Sequence, residues 1–287
     1  RKCRGVDEIE RWKATEFRQF LLFSGIVALK GKLSQVMYEH FLLLFIGIHC
    51  LTSPVLSQSH ADYAQDILCM FVDQARHIYG IEFLVYNVHS LIHLASDVKM
   101  YGPLDAYSAF PFENYLGHLK WLVRKPQFPL QQVVRRLSER VQQGLFGNRK
   151  SDRMPVDNIP KKEHMKGPVP MQYVLVDCIQ FEQIYYNGFF LSSCKGDNCV
   201  KIHNSFYFIR NILSVYNVDE HVLVIQKFTR VNDFFEYPYN SRHFDVVRCE
   251  RLSDELETAY VSEVQSKLVS LPYKETFVLF PLNTARG

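Results

Sequence analysis

The chain has 287 residues, 47% of them hydrophobic and 22% charged, with 33 Lys and Arg against 30 Asp and Glu. That composition excludes a globally disordered chain, and the length suits about two domains. Seven cysteines, at 3, 50, 69, 178, 194, 199 and 249, are odd in number and irregular in spacing, which argues against a secreted disulfide framework and for a reducing compartment.

Up to about residue 146 the apolar spacing is helical. Phe17, Phe20, Leu21 and Ser24 share a face, and Val36 to Leu51 is apolar nearly all round, as a central buried helix would be. Its most apolar stretch, Phe41 to Cys50, is ten residues long, whereas a bilayer-crossing helix needs about 20. No membrane span is therefore expected. The opening Arg1-Lys-Cys-Arg-Gly-Val-Asp lacks the apolar run of a signal peptide and an initiator Met, so the chain reads as an intracellular piece of something longer. Ile67, Phe71, Ala75 and Ile78 predict a helix over Ala61 to Tyr79, ended by Gly80. Leu84, Val88, Leu91 and Ala95 predict a second over Phe83 to Met100, broken by Gly102-Pro103. A third is expected from Pro111 to about Val123. A fourth follows over Leu130 to Gln143, with Pro129 in its first turn.

Charge is segregated along the chain. Residues 1–119 carry a net −2 and residues 171–287 a net −3, while residues 120–166 carry +8. That excess lies between Lys120 and Lys166, with Arg124, Lys125, Arg135, Arg136 and Arg140 inside it. It reads either as a solvated helix face followed by a charged linker, or as a stripe that neutralises a phosphate backbone. Residues 147–170, with prolines at 155, 160, 168 and 170, read as a basic linker.

Beyond residue 170 the period drops to two. Strands are expected at Tyr173 to Val176, Ile202 to Ile209, Val222 to Phe228, Phe244 to Val247 and Thr276 to Phe280. Asn187-Gly188, Gly196-Asp197-Asn198 and Asn217 supply turns, and a helix is expected over Asp254 to Lys267. The fold class is thus α+β: an all-α part over 1–146, the linker, and a β-rich, barrel-like domain over 171–287.

The segment richest in functional signal runs from 86 to 140. It reads Tyr86-Asn-Val-His-Ser-Leu-Ile-His-Leu, Tyr101-Gly-Pro-Leu, Ala109-Phe-Pro-Phe-Glu-Asn-Tyr-Leu-Gly-His-Leu-Lys, then Val123-Arg-Lys-Pro. In that order these blocks resemble the corresponding region of CACTA-type (En/Spm-like) DNA transposases. Trp12 to Leu22 and Tyr38 to Leu44 resemble the same family's preceding helices. The resemblance covers about residues 10–145. It implies an RNase H-like DDE/D catalytic region interrupted by a helical insertion, with Glu113 the last acidic residue of the triad. It further implies two Mg²⁺ or Mn²⁺ ions about 3.5–4 Å apart, held by carboxylates, with Asn114 and Lys120 beside the substrate, double-stranded DNA as partner and the nucleus as location. Lys120 follows Glu113 by seven residues, about two helical turns, which puts both on one face. Without the resemblance, Glu113 is an ordinary first-turn Glu favoured by the helix dipole.

One departure matters. No residue before Glu113 is an Asp on a strand: Asp62, Asp66, Asp73 and Asp97 fall in helical patterns and Asp105 follows Gly102-Pro103. Alone the chain is not expected to cut DNA. A longer chain, a partner chain or a second copy would have to complete the site. The competing reading is a domesticated, non-catalytic nuclear adaptor whose β-rich part binds protein partners.

Other constellations are weaker. His89 and His93 have the i,i+4 spacing of two zinc ligands, and Cys194, Cys199 and His203 form a looser set; neither has an evident completing ligand, so zinc is not expected. Trp121 is read either as core or as a stacking platform beside Arg124 and Lys125. No nucleophile elbow, Walker A or dinucleotide fingerprint is present. The aromatic alternations of the β-rich part, from Asn198-Cys-Val-Lys-Ile through Phe234-Phe-Glu-Tyr-Pro to Cys249, loosely resemble a bromo-adjacent-homology barrel.

Overall fold

A computed structural model of the chain describes residues 3–143 and 158–282. The chain forms two compact units, one of Arg1–Ala106 with Asp157–Gly287, the other of Tyr107–Val156.

The first unit begins with a 3₁₀ stretch over Val6–Arg11, followed by α1 (Ala14–Gln19), a π-turn and α2 (Gly25–Leu29). The long helix α3 (Gln35–Thr52) is capped by Ser34, whose Oγ accepts from the Met37 amide. By length and composition α3 is apolar enough to cross a membrane, yet Leu42, Leu43, Phe45, Ile46, Cys50 and Leu51 are fully enclosed by protein, as its all-round apolar pattern predicts. After the single turn α4 (Leu56–Ser59), α5 (Ala61–Tyr79) lies close against α3 at Gly47, where a Cβ would fall 2.6 Å from the Leu68 side chain. Gly80, at φ 91°, ends α5 as expected.

The single helix expected over Phe83 to Met100 is instead broken into α6 (Tyr86–His89), a 3₁₀ turn over Ser90–His93 and α7 (Leu94–Tyr101). Two side chains compete for its backbone. Ser90 Oγ donates to the Tyr86 carbonyl at 2.8 Å, and Gln65 Nε2 donates to the Ile92 carbonyl at 2.6 Å. Gly102, at φ 88°, then closes α7.

The second unit is a helical hairpin, α8 (Phe110–Leu122) and α9 (Pro129–Gln142), close to the predicted spans. Of the expected basic linker, residues 147–157 lie outside the described residues. Pro160–His164 forms strand β1, which pairs with β2 (Cys178–Tyr186). The strand expected at Tyr173 to Val176 is a correction: Met171–Val174 is one helical turn, α10, started by Pro170. Leu175 beside it is 96% exposed, and no neighbouring strand pairs with it among the described residues.

The remaining strands are β3 (Phe189–Ser192), β4 (Cys199–Ile202), β5 (Ser205–Val215), β6 (Val222–Asp233), β7 (Val247–Tyr260), β8 (Val264–Tyr273) and β9 (Thr276–Pro281). All pairings are antiparallel, in the order β1-β2-β5-β4-β8-β9-β7-β6; β3 pairs with β2, and β5 pairs also with β6. The helix expected over Asp254 to Lys267 is a second correction, because that stretch is the end of β7, a short turn and the start of β8. Its helical spacing is overridden by a long ladder with β6, from Val222 opposite Tyr260 to Asp233 opposite Val247. The architecture is α+β.

Helices and sheet in the first unit share one core. Ile26, Leu42, Phe45 and Ile46 pack with Phe234, Phe235, Phe244, Val278 and Phe280, and the Phe45 and Phe235 rings meet edge to face at 6.1 Å.

Candidate nucleic-acid interface

Pro111 opens α8 in its first turn, and Glu113 follows with its amide donating to the Ala109 carbonyl at 3.0 Å. Glu113 is exposed and has no ion pair among the described residues. It lines an open groove of about 470 Å³ between α8 and α9, together with Lys120 and the apolar Leu116, Leu119, Val123 and Val133. The shared face expected for Glu113 and Lys120 is therefore present. Gly117 at its centre has nothing within 4 Å of where a Cβ would stand, which keeps the groove open. Asn114 is exposed on the same helix but does not line the groove.

The turn carrying Arg124 and Lys125 is fixed by one side chain that the sequence did not single out. Gln132 Oε1 accepts from the amides of Arg124 and Lys125 at 3.0 and 3.2 Å. Its Nε2 donates to the carbonyls of Lys125 and Gln127 at 2.8 and 2.6 Å. Every partner is backbone, so no residue-type pattern marks it. Both cations of that turn point into solvent, and Trp121 nearby is 84% exposed, which removes its reading as core.

On α9, Leu130, Val133, Val134, Leu137 and Val141 form an apolar stripe, with the arginines off it. Arg135 Nε pairs with Glu139 one turn on at 3.0 Å. Arg136 and Arg140, also one turn apart, form no ion pair among the described residues. The hairpin thus presents Lys120, Arg124, Lys125, Arg136 and Arg140 against the exposed carboxylate of Glu113 and the Arg135-paired Glu139.

Among the described residues no group of three or more His, Cys, Asp or Glu is placed to hold a metal ion. Among the described residues Glu113 is the one carboxylate of its groove and shares it with a cation, so these residues do not by themselves fit Mg²⁺ or Mn²⁺. His89 and His93 belong to the first unit, exposed, their rings 5.5 Å apart and edge to face. Cys199 is buried between strands, Cys194 is exposed in a turn, and His203 faces Glu263 at 3.6 Å. The upstream aspartates are all off strands: Asp62, Asp66 and Asp73 on α5, Asp97 on α7, and Asp105 held by Arg18 at 2.7 Å.

A family model described as a domain of unknown function (DUF8592) matches residues 163–282. No curated protein matches the chain, and no solved structure matches it.

Proposed function

We propose that the chain is part of a transposase or transposase-derived DNA-binding protein. The carrying observation is the α8–α9 hairpin, whose exposed first-turn Glu113 shares an open groove with Lys120, while Arg124, Lys125, Arg136 and Arg140 of the same hairpin form no ion pair among the described residues. An unpaired carboxylate beside a row of cations suits a residue that meets metal-bound phosphate, with the cations on the flanking backbone. In this reading Glu113 contributes one carboxylate, and the other ligands come from outside this sequence or from a partner chain. Nuclear location follows from that reading. The test is duplex-DNA cleavage by the full-length protein in Mg²⁺ or Mn²⁺. Glu113→Gln is expected to abolish cleavage and leave DNA affinity unchanged; retained cleavage overturns the catalytic part of the reading.

A second reading concerns the β region. The pairings β4-β5, β5-β6, β6-β7, β7-β9, β9-β8 and β8-β4 run round a ring, which supports a six-stranded barrel of the bromo-adjacent-homology kind. A protein that binds DNA but cleaves none, with or without partner chains, would be the domesticated adaptor, the barrel serving protein partners.

A further inference from the structure

Phe206, Phe208 and Phe228 belong to a buried cluster with Cys199, Val247, Cys249 and Leu268 on the strands of that ring. At one end the cluster meets a hollow of about 520 Å³, floored by Phe206 and Phe228. Three cations line it: Lys201 from β4, Lys227 from β6 and Arg242 from the turn Ser241–Phe244. One carboxylate, Asp245, lines it too and takes a hydrogen bond from Lys201 Nζ at 2.7 Å. Arg242 is fixed at both ends, its amide donating to Asp233 Oδ1 and its guanidinium to the Val231 carbonyl, each at 2.8 Å. Lys227 has no ion pair among the described residues. The hollow therefore carries two cations beyond its internal pair, although residues 171–287 as a whole carry a net −3.

We propose that this hollow binds a phosphate group. A carboxylate ligand would leave one cation uncompensated. A phosphate monoester carries about −1.5 to −2 at neutral pH with three acceptor oxygens, which matches Lys227 and Arg242 together. Ser205 and Thr229 also line the hollow, the Thr229 hydroxyl donating to the Arg251 carbonyl at 3.3 Å. The end of a closed strand ring is also a usual place for a small-ligand site, because side chains from several strands converge there. The phosphate comes either on a small compound or as the terminal monoester of a nucleic-acid strand, because a backbone diester carries only one charge. Neither Lys227 nor Arg242 has a part in the DNA reading of the hairpin.

The experiment is titration of the full chain with pyrophosphate by calorimetry, then competition by a short 5′-phosphorylated single-stranded oligonucleotide. Pyrophosphate is expected to bind, Lys227→Ala to weaken it about tenfold, as loss of one charge-assisted bond predicts, and Lys227→Arg to restore it. Arg136→Ala with Arg140→Ala should leave it unchanged, which separates this site from the hairpin. Competition by the oligonucleotide identifies a nucleic-acid source, and its absence a small compound; both uphold the site. No binding of pyrophosphate by the unaltered chain, or binding indifferent to Lys227→Ala in protein with an unchanged melting temperature, overturns it.

Discussion

His49, on α3, donates from Nε2 to the backbone carbonyl of Phe244 at 3.2 Å, joining the helix to the turn Ser241–Phe244 that leads into β7. A carbonyl only accepts, so Nε2 carries a proton. The side chain is 2% exposed and stacks on Phe45 at 5.3 Å. Burial lowers its pKa from 6.5 to about 4, against weaker opposing effects of the Phe244 carbonyl and Asp245.

Stability should therefore depend on pH in a defined window. Between pH 6.5 and about 4 the unfolded chain binds a proton at this position that the folded chain does not, so stability falls as pH falls. At pH 5 the loss from His49 is about 2 kcal/mol relative to neutral pH. His40, buried against Phe71, is shifted in the same direction and adds to it. Urea midpoints across this range should drop on acidification, and His49→Gln should flatten most of the drop. An unaltered pH profile in that variant would refute the assignment.

Gly167 supplies the second prediction. A Cβ there would stand 2.3 Å from the side-chain amide of Asn211, which is fully buried. Asn211 Nδ2 donates to the Pro168 carbonyl at 3.0 Å and to Gln180 Oε1 at 2.8 Å. Gly167→Ala must displace that amide and strand buried polar groups, at a cost of about 2 kcal/mol or more. Chemical denaturation reads this directly; an unchanged midpoint would mean that the segment moves aside freely.

The helices were legible where a side-chain pattern and a terminator agreed, as for α3, α5, α8 and α9. The break after His89 was not, because it arises from Gln65, far away in sequence, taking the Ile92 carbonyl. The end of β7 was misread for a related reason: of residues 254–260 only Ala259 is buried, so the ladder to β6 holds the strand and apolar alternation does not. At the candidate site Glu113 stood out only through the resemblance, and the seven-residue spacing then placed Lys120 on its face. Gln132 was not, since its role lies in four bonds to backbone. The shared core of α3 and the sheet was also hidden, because Phe45 and Phe235 read identically whether they face one another or separate cores.

Two glutamates make a contrast that tests the status of Glu113. Glu16 is 0% exposed, held by Arg4 at 2.8 Å and by the Lys13 amide at 3.0 Å. The hydrogen bond from Arg4 leads in lowering its pKa to about 2. Glu16→Gln should lower the melting temperature clearly, and its contribution is lost as pH falls from 4.5 toward 2. Glu113→Gln should leave the melting temperature within about a degree, since surface changes cost under about 0.5 kcal/mol. A large destabilisation by Glu113→Gln would mark it as a structural residue.

The last prediction concerns how the hairpin meets DNA. Arg136 and Arg140 lie one turn apart on α9 without an ion pair among the described residues, whereas Arg135 is engaged by Glu139. Each cation that neutralises a backbone phosphate releases about 0.9 counterion, so its removal flattens the slope of log K against log salt by nearly one. Arg136→Ala with Arg140→Ala should thus flatten the slope by about two, with affinity falling equally on unrelated duplexes. Arg135→Ala should do less, because that guanidinium is already partly compensated. Gln132→Ala removes no charge but frees the turn that aims Arg124 and Lys125. It should weaken binding while changing the slope by much less than the double variant, because both cations remain able to reach phosphate. Fluorescence anisotropy over a salt series distinguishes these patterns. A slope unaltered by the double variant would remove α9 from the DNA-binding surface.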